Sequence, residues 1–376
     1  MVIDGRVKPG HDALTFIILP IPARPAGRTP RIWDIAGRGT GRSAIRASPP
    51  ISHTNKHLPK GTTVKPIILF KHEAPRHRID FAPDFTLLDF DLAAGTPDDD
   101  ARKSARIMVT SGFIGMTRAE MDALPALELI CTIGTGYEKV DQAAARERGI
   151  RITHAAGMNA PSVADHAFAL LLGIVRNIPV YDASARAGKW REDLPQRPMV
   201  NGKKIGIIGM GAIGQGIARR AEGFDMEVSY MARSAKADLP WRYVDNVRDL
   251  AQHVDFLISA VPGGPATHHL IDRTVLEALG KDGFLINVGR GSVVHTDDLI
   301  IALRDGVIAG AALDVFEDEP VVPEALCAMT NVVLTPHVGG AAPEVQILGV
   351  KLMRRNIEAF LAGKPLISPI PELSEA

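Results

Sequence analysis

From residue 64 onward, short apolar runs alternate with segments whose apolar positions recur every three to four residues. The first series predicts strands over Val64–Phe70, Arg106–Thr110, Leu127–Thr132 and Arg151–His154. Between them, Arg118–Leu124 and Asp141–Arg148 read as helices, the second closed by Gly149. A second series begins near Gly202. It predicts strands over Lys204–Ile208, Glu227–Met231, Phe256–Ala260, Phe284–Val288, Ala309–Ala312 and Val332–Thr335. Helices fall between them at Gly214–Ala221, Val247–Gln252, Arg273–Leu279 and Thr296–Arg304, whereas Glu317–Asn331 reads as an irregular connection. Runs apolar on both faces, alternating with helices, belong to parallel α/β layers. Six strands with five connections match a doubly wound sheet. Pro343–Leu361 predicts a long final helix.

One segment breaks the alternation. Over Ser162–Arg176, the residues Val163, Ala164, Ala167, Phe168, Leu170, Leu171, Ile174 and Val175 cover most of a helical circumference. That pattern predicts a helix enclosed by protein, running through the middle of the molecule. It is shorter than the ~20 residues of a membrane span. Ser162, just after Pro161, is the expected N-cap.

Composition narrows the class. A length of 376 residues suggests two or three domains. The two cysteines, Cys131 and Cys327, are too few for a disulfide scaffold or zinc ribbon, and no metal site is expected. Formal net charge is zero, so bulk charge does not suggest nucleic acid or acidic membrane as a partner. The balance is uneven, however. The first 60 residues hold ten Lys/Arg, three Asp, eight Pro and six Gly, a charge of +7 that leaves −7 on the rest. Segment 1–63 is therefore expected to be disordered. A targeting segment and a start site placed too far upstream both remain open, and the second is favoured because globular patterning begins abruptly at Val64. The expected location is the cytoplasm.

The candidate chemistry begins where Ile205-Gly206-Ile207-Ile208 runs into Gly209-Met210-Gly211-Ala212-Ile213-Gly214. This is G-x-G-x-x-G between a strand and a helix. Gly209 suits the tight turn, Gly211 the close approach of a pyrophosphate, and Gly214 the packing of helix on strand. The helix N-terminus then supplies free amides. The next strand ends in Ala232-Arg233-Ser234, where an NAD-preferring site carries Asp or Glu for the ribose 2′-hydroxyl. Without that carboxylate, and with Arg233 and Ser234 able to bind a 2′-phosphate, the sequence predicts preference for NADP(H), with NAD(H) as the alternative.

Three later strand ends carry polar residues that sheet packing does not require. They are Asn287-Val288-Gly289-Arg290-Gly291, Leu313-Asp314-Val315-Phe316-Glu317-Asp318-Glu319-Pro320 and Thr335-Pro336-His337-Val338-Gly339-Gly340. Carboxyl ends of strands face the ligand crevice in such a sheet. An Arg there can hold a carboxylate bidentately, and a His can give a proton to a carbonyl oxygen as hydride arrives. A neighbouring Glu favours the imidazolium.

On these motifs, residues 64 to 365 resemble the D-isomer-specific 2-hydroxyacid dehydrogenase family. The resemblance implies Arg290, Glu319 and His337 as the catalytic set, with Arg290 as the substrate arginine. It implies Asp314 near the nicotinamide carboxamide, and a substrate loop at Gly134, Thr135 and Gly136 within Ile133–Tyr137. Val261, Pro262, Val288, Gly289, Gly339 and Gly340 join Gly209, Gly211, Ala212, Ile213, Gly214, Ala232, Arg233 and Ser234 in the expected cofactor site. His166, in Ala164-Asp165-His166, is expected to be structural. Ala156-Gly157 and Gly339-Gly340 are expected hinge segments.

The implied architecture is two Rossmann-like doubly wound domains with a cleft between them. Residues 64–160 form the substrate domain, 161–340 the dinucleotide domain, and 341–376 a helix returning to the first. Residues 230–234 and 337–340 look like the NADPH-dependent glyoxylate/hydroxypyruvate reductase branch. That implies reduction of small 2-keto acids by a homodimer. The alternatives are a co-repressor-like nucleotide sensor and an NAD-linked phosphoglycerate or lactate-type dehydrogenase.

Overall fold

Two parallel sheets organise the chain in a computed structural model that describes residues 65–71, 81–92 and 100–373. Expectations for residues 1–63, and for Val64, lie outside the described residues. The first sheet contains β1 (Ile67–Phe70), β2 (Thr86–Asp89), β3 (Ile107–Thr110), β4 (Leu129–Thr132) and β5 (Arg151–Thr153), in the order β2-β1-β3-β4-β5. With it come the helices α1 (Asp100–Lys103), α2 (Arg118–Asp122) and α3 (Gln142–Glu147). Strands β3 and β4 are buried throughout, which explains their unbroken apolar runs. The chain then enters α4 (Ala160–Val175) and α5 (Ile178–Arg186).

The second sheet contains β6 (Lys204–Ile208), β7 (Glu227–Met231), β8 (Arg242–Tyr243), β9 (Phe256–Ser259), β10 (Phe284–Asn287), β11 (Gly310–Leu313) and β12 (Val332–Leu334). Its order is β12-β11-β10-β9-β6-β7-β8. Its helices are α6 (Ala212–Glu222), α7 (Val247–Gln252), α8 (Arg273–Leu279), α9 (Thr296–Arg304) and the short α10 (Glu324–Cys327). The chain runs outward from β6 to β8 and then restarts at β9 on the other side of β6. This reversal opens a crevice at the carboxyl ends of β6 and β9. The first sheet reverses in the same way between β1 and β3.

The cores explain the arrangement. Helix α4 buries Val163, Ala164, Ala167, Phe168, Leu170, Leu171, Ile174 and Val175 against α6 and the face of the second sheet. Helices α7, α8 and α9 cover the opposite face. The final helix, α11 (Pro343–Leu361), returns to the first sheet and places Val350, Met353, Ile357 and Phe360 beside Ile68, Phe70 and Val109.

Several elements differ from the sequence reading. Strands β2 and β8 and helices α1 and α5 were not expected. β2 and β8 are short edge strands, created by pairing with β1 and β7 rather than by an apolar run of their own. Ser162 is not the N-cap of α4: the helix starts at Ala160 with Asn159 at the cap, and Pro161 lies inside the first turn. The Ser162 hydroxyl donates instead to Gly339 O at 2.6 Å. Nor is α4 enclosed on all sides, because Pro161, Asp165 and Ala169 are exposed.

Candidate active site

The phosphate loop lies at the reversal point of the second sheet. Gly209 has φ +94, and a Cβ there would lie 2.7 Å from Val261 Cγ1. A Cβ on Gly214 would lie 2.0 Å from Gly209 O, so only glycine lets α6 start this close to β6. Gly211 caps α6 without a side-chain hydrogen bond, and nothing lies within 4 Å of where its Cβ would be. Ala212 and Ile213 thus open an eleven-residue helix whose first amides have no intrahelical acceptor.

Two and three residues beyond β7, Arg233 and Ser234 are exposed, and among the described residues neither has a hydrogen bond or ion pair. Ala232 is half-buried, its carbonyl accepting from Tyr243 Oη at 3.4 Å. On the other wall, Pro262 O accepts from Thr267 Oγ1 at 2.7 Å, and Gly289 packs so closely on Val261 that a Cβ would reach its carbonyl at 2.5 Å. Val288 is buried beneath this loop. Ser259 Oγ, also buried here, has no partner among the described residues. Open amides, glycines where a chain must come close, and an exposed cation at the end of β7 fit an anionic dinucleotide.

His337 follows β12 with φ +54, a conformation that residues with a Cβ rarely adopt. Its N–H donates to Asp314 O at 2.7 Å, which helps hold that turn. Nδ1 lies 2.9 Å from Glu319 Oε2 and 3.1 Å from Oε1. Burial pushes the Glu319 carboxyl up. The hydrogen bond to His337 and the Phe316 N–H, with the charges of His337 and Arg290, outweigh it and leave Glu319 below the usual carboxylate range. The Phe113 ring stands edge-on to the imidazole, centroids 5.0 Å apart, and is 58% exposed.

Asp314 supports this loop from below. Its Oδ1 accepts from Thr335 Oγ1 at 2.6 Å and from Val338 N at 2.9 Å; Oδ2 accepts from Gly339 N at 2.9 Å. His166 Nε2 joins the network, 2.9 Å from Thr335 Oγ1 and 3.2 Å from Asp314 Oδ1. His166 therefore ties α4 to the His337 loop.

Arg290 starts the turn after β10, which Asn287 holds by donating Nδ2 to Arg290 O at 2.9 Å. Its guanidinium reaches the first sheet's side of the cleft and pairs with Glu138 at 2.8 Å. There Gly134 has φ +117 and its carbonyl accepts from Ala155 N, while Thr135 O lies 3.0 Å from His154 Nδ1. Among the described residues, the amides of Gly134, Thr135 and Gly136 donate to no protein acceptor. Beside them, the buried Asn159 Oδ1 is also without a partner.

The structure thus gathers Gly134–Gly136, Arg290, Glu319 and His337 along one cleft, with the glycine-rich loop at the same sheet edge. Glu138, Phe113, Asn159 and the supporting Asn287 were assigned no role from the sequence. Only Asn287 carried a signal, as a polar residue closing an otherwise apolar strand. Nearby, Met210 is buried in the core, Trp190 is 72% exposed, and Trp241 Nε1 donates to Glu222 Oε1.

Fold and site define a class: a two-lobed α/β protein with a dinucleotide crevice and a His–Glu pair at the lobe boundary. Residues 168–339 match the family described as D-isomer specific 2-hydroxyacid dehydrogenase, NAD binding domain. The chain is 40% identical over 269 residues to a glyoxylate/hydroxypyruvate reductase of Arabidopsis thaliana, covering 71% of this chain and 83% of the relative. It is 41% identical over 269 residues to hydroxyphenylpyruvate reductase of Plectranthus scutellarioides, covering 71% and 86%. The solved structure of an NADPH-dependent glyoxylate/hydroxypyruvate reductase from Sinorhizobium meliloti, in complex with NADP and malonate, superposes with TM-score 0.76 at 35% identity, covering 82% of this chain and 98% of that one. This chain belongs to the D-isomer-specific 2-hydroxyacid dehydrogenase family.

Proposed function

We propose that this protein reduces small 2-keto acids to 2-hydroxy acids with NADPH. The observation that carries the reading is the His337–Glu319 pair, 2.9 Å apart, at the cleft that Arg290 and the free amides of Gly134–Gly136 line from the other side. NADPH, when bound, supplies the hydride. Gly209, Gly211, Gly214 and the start of α6 would hold its pyrophosphate, and Arg233 and Ser234 its 2′-phosphate.

The chain's own residues do the rest. Arg290 and the Gly134–Gly136 amides bind the substrate carboxylate and orient the carbonyl. His337, with Nδ1 engaged by Glu319, presents its other nitrogen to the carbonyl oxygen and gives it the proton. Glu319 stabilises the imidazolium that precedes transfer. Glyoxylate and hydroxypyruvate are the first substrates to expect, because relatives bearing those names cover most of the chain. A cytoplasmic homodimer completes the reading.

The test is a panel of glyoxylate, hydroxypyruvate and phenylpyruvate assayed with NADPH and NADH in parallel, on the wild type and on Arg233→Ala. Turnover with NADPH preferred, and a preference reduced about tenfold or more in the variant, is expected. No turnover on any 2-keto acid would favour a nucleotide sensor. Equal losses with both cofactors would remove Arg233 from the cofactor site.

A further inference from the structure

The substrate arginine is held by a residue from the opposite side of the cleft. Arg290 Nε donates to Glu138 Oε1 at 2.9 Å, and Nη2 lies 2.8 Å from the same oxygen. Nη1 donates to Gly289 O at 2.9 Å. A guanidinium carries five N–H donors in a rigid plane. Two are donated, Nε–H to Glu138 and one Nη1–H to Gly289, while Nη2 makes only the ion-pair contact; an N–H on each terminal nitrogen is thus left for a bidentate carboxylate contact.

The surroundings are shaped around this pair. A Cβ on Gly136 would lie 2.7 Å from Glu138 Oε2 and 3.0 Å from Arg290 Nη2, so the ion pair lies directly across the substrate loop. A Cβ on Gly263 would lie 3.3 Å from Arg290 Cγ, so the arginine stem runs against a second glycine. The partners are 152 residues apart, one in the loop after β4 and the other after β10.

We propose that Glu138 is a positioning residue for the reduction: it holds the Arg290 fork from its Nε edge so that the free terminal pair faces the substrate carboxylate. The idea rests on the function proposed above. Glu138 touches no reacting atom, and it acts by removing the rotational freedom of a side chain that would otherwise have to be ordered at each binding event. Because the pair spans the cleft, this orientation exists only while the two sides are together.

The test is steady-state kinetics of Glu138→Gln and Glu138→Asp, alone and in an Arg290→Lys background, with thermal melting as a check on folding. Glu138→Gln should raise the 2-keto acid KM about tenfold and weaken oxalate, an unreactive dicarboxylate, to a similar degree. The NADPH KM should stay within about twofold, because the ion pair is remote from the phosphate loop. Glu138→Asp should recover part of the loss. In the Arg290→Lys background, which has no bidentate fork, Glu138→Gln should add little.

An unchanged substrate KM in Glu138→Gln, beside normal wild-type turnover, would overturn this role and leave the proposed function standing. So would a fall in KM, which would make Glu138 a competitor of the substrate, or an equal penalty in both backgrounds. Absence of wild-type turnover on every 2-keto acid would overturn the function and this role together.

Discussion

At the scale of single residues, the site is a set of constrained polar side chains whose partners come from distant parts of the chain. His337 is the clearest case. Its backbone turn is held by Asp314, its Nδ1 by Glu319, and its ring packs against Phe113. His337→Ala should lower kcat by about 10²–10⁴-fold while NADPH affinity, measured by fluorescence titration, stays nearly unchanged. Near-normal turnover would refute the acid role.

The lowered Glu319 carboxyl sets the acid side of the pH profile. A depressed carboxylate keeps its charge as pH falls, until the pH passes below the usual carboxylate range. The carboxylate is thus charged from neutrality down through the usual carboxylate range and lost as the pH falls below it. kcat should therefore hold from neutrality down to about pH 5, as long as the fold is intact by circular dichroism. A decline that begins near pH 6 would contradict this assignment. Arg290, Glu319 and His337 stood out in the sequence as polar residues near the ends of buried strands, and the family resemblance implied their roles. Glu138 and Phe113 were not legible, because a loop Glu and a loop Phe look the same whether they face water, a guanidinium or an imidazole.

At the scale of elements, period and length carried most of the reading. Strands β6 and β7 and helices α8, α9 and α11 have the bounds that their apolar patterns predict. The pattern failed where an element is made by its neighbour, as with β8, two residues long and paired only to β7. It failed again at the start of α4, because Ser162 has the chemistry of a cap but is used to bind Gly339.

Two element-scale variants follow. Gly214→Ala places a methyl group 2.0 Å from Gly209 O, so α6 must move away from β6. NADPH binding should be lost by titration calorimetry while circular dichroism shows the sheet retained; unaltered affinity would mean that close packing of α6 on β6 is not needed to hold the cofactor. Leu171→Ala empties a site that is fully buried between α4 and the second sheet. It should destabilise the protein by about 2–5 kcal/mol in urea denaturation, with substrate KM little changed. A loss below about 0.5 kcal/mol would be typical of a surface position and would argue against this packing.

At the scale of the whole molecule, the two chain crossings meet. Asn159 packs on Gly340, Ser162 binds Gly339, and His166 reaches Thr335, so the start of α4 and the His337 loop form one contact region. The cofactor-side residues and the substrate loop are thus joined where the chain passes between sheets. NADPH with oxalate should slow amide hydrogen exchange at residues 157–162 and 338–341, while the buried strands β4 and β10 stay as protected as before. Unchanged exchange at both crossings would refute their role as hinges.

The sequence by itself determined the two α/β series and the phosphate loop, and it marked His337, Glu319 and Arg290 as polar residues at the ends of buried strands. Each of these is written in local spacing, in glycines at fixed offsets, or in polar residues where apolar ones would pack better. Only the tertiary structure decided which residues meet across the cleft: Glu138 with Arg290, Phe113 with His337, Ser162 with Gly339. Those pairs are separated by 152, 224 and 177 positions. A side chain's partner at that range is chosen by how the sheets and helices pack, and spacing along the chain carries no record of it.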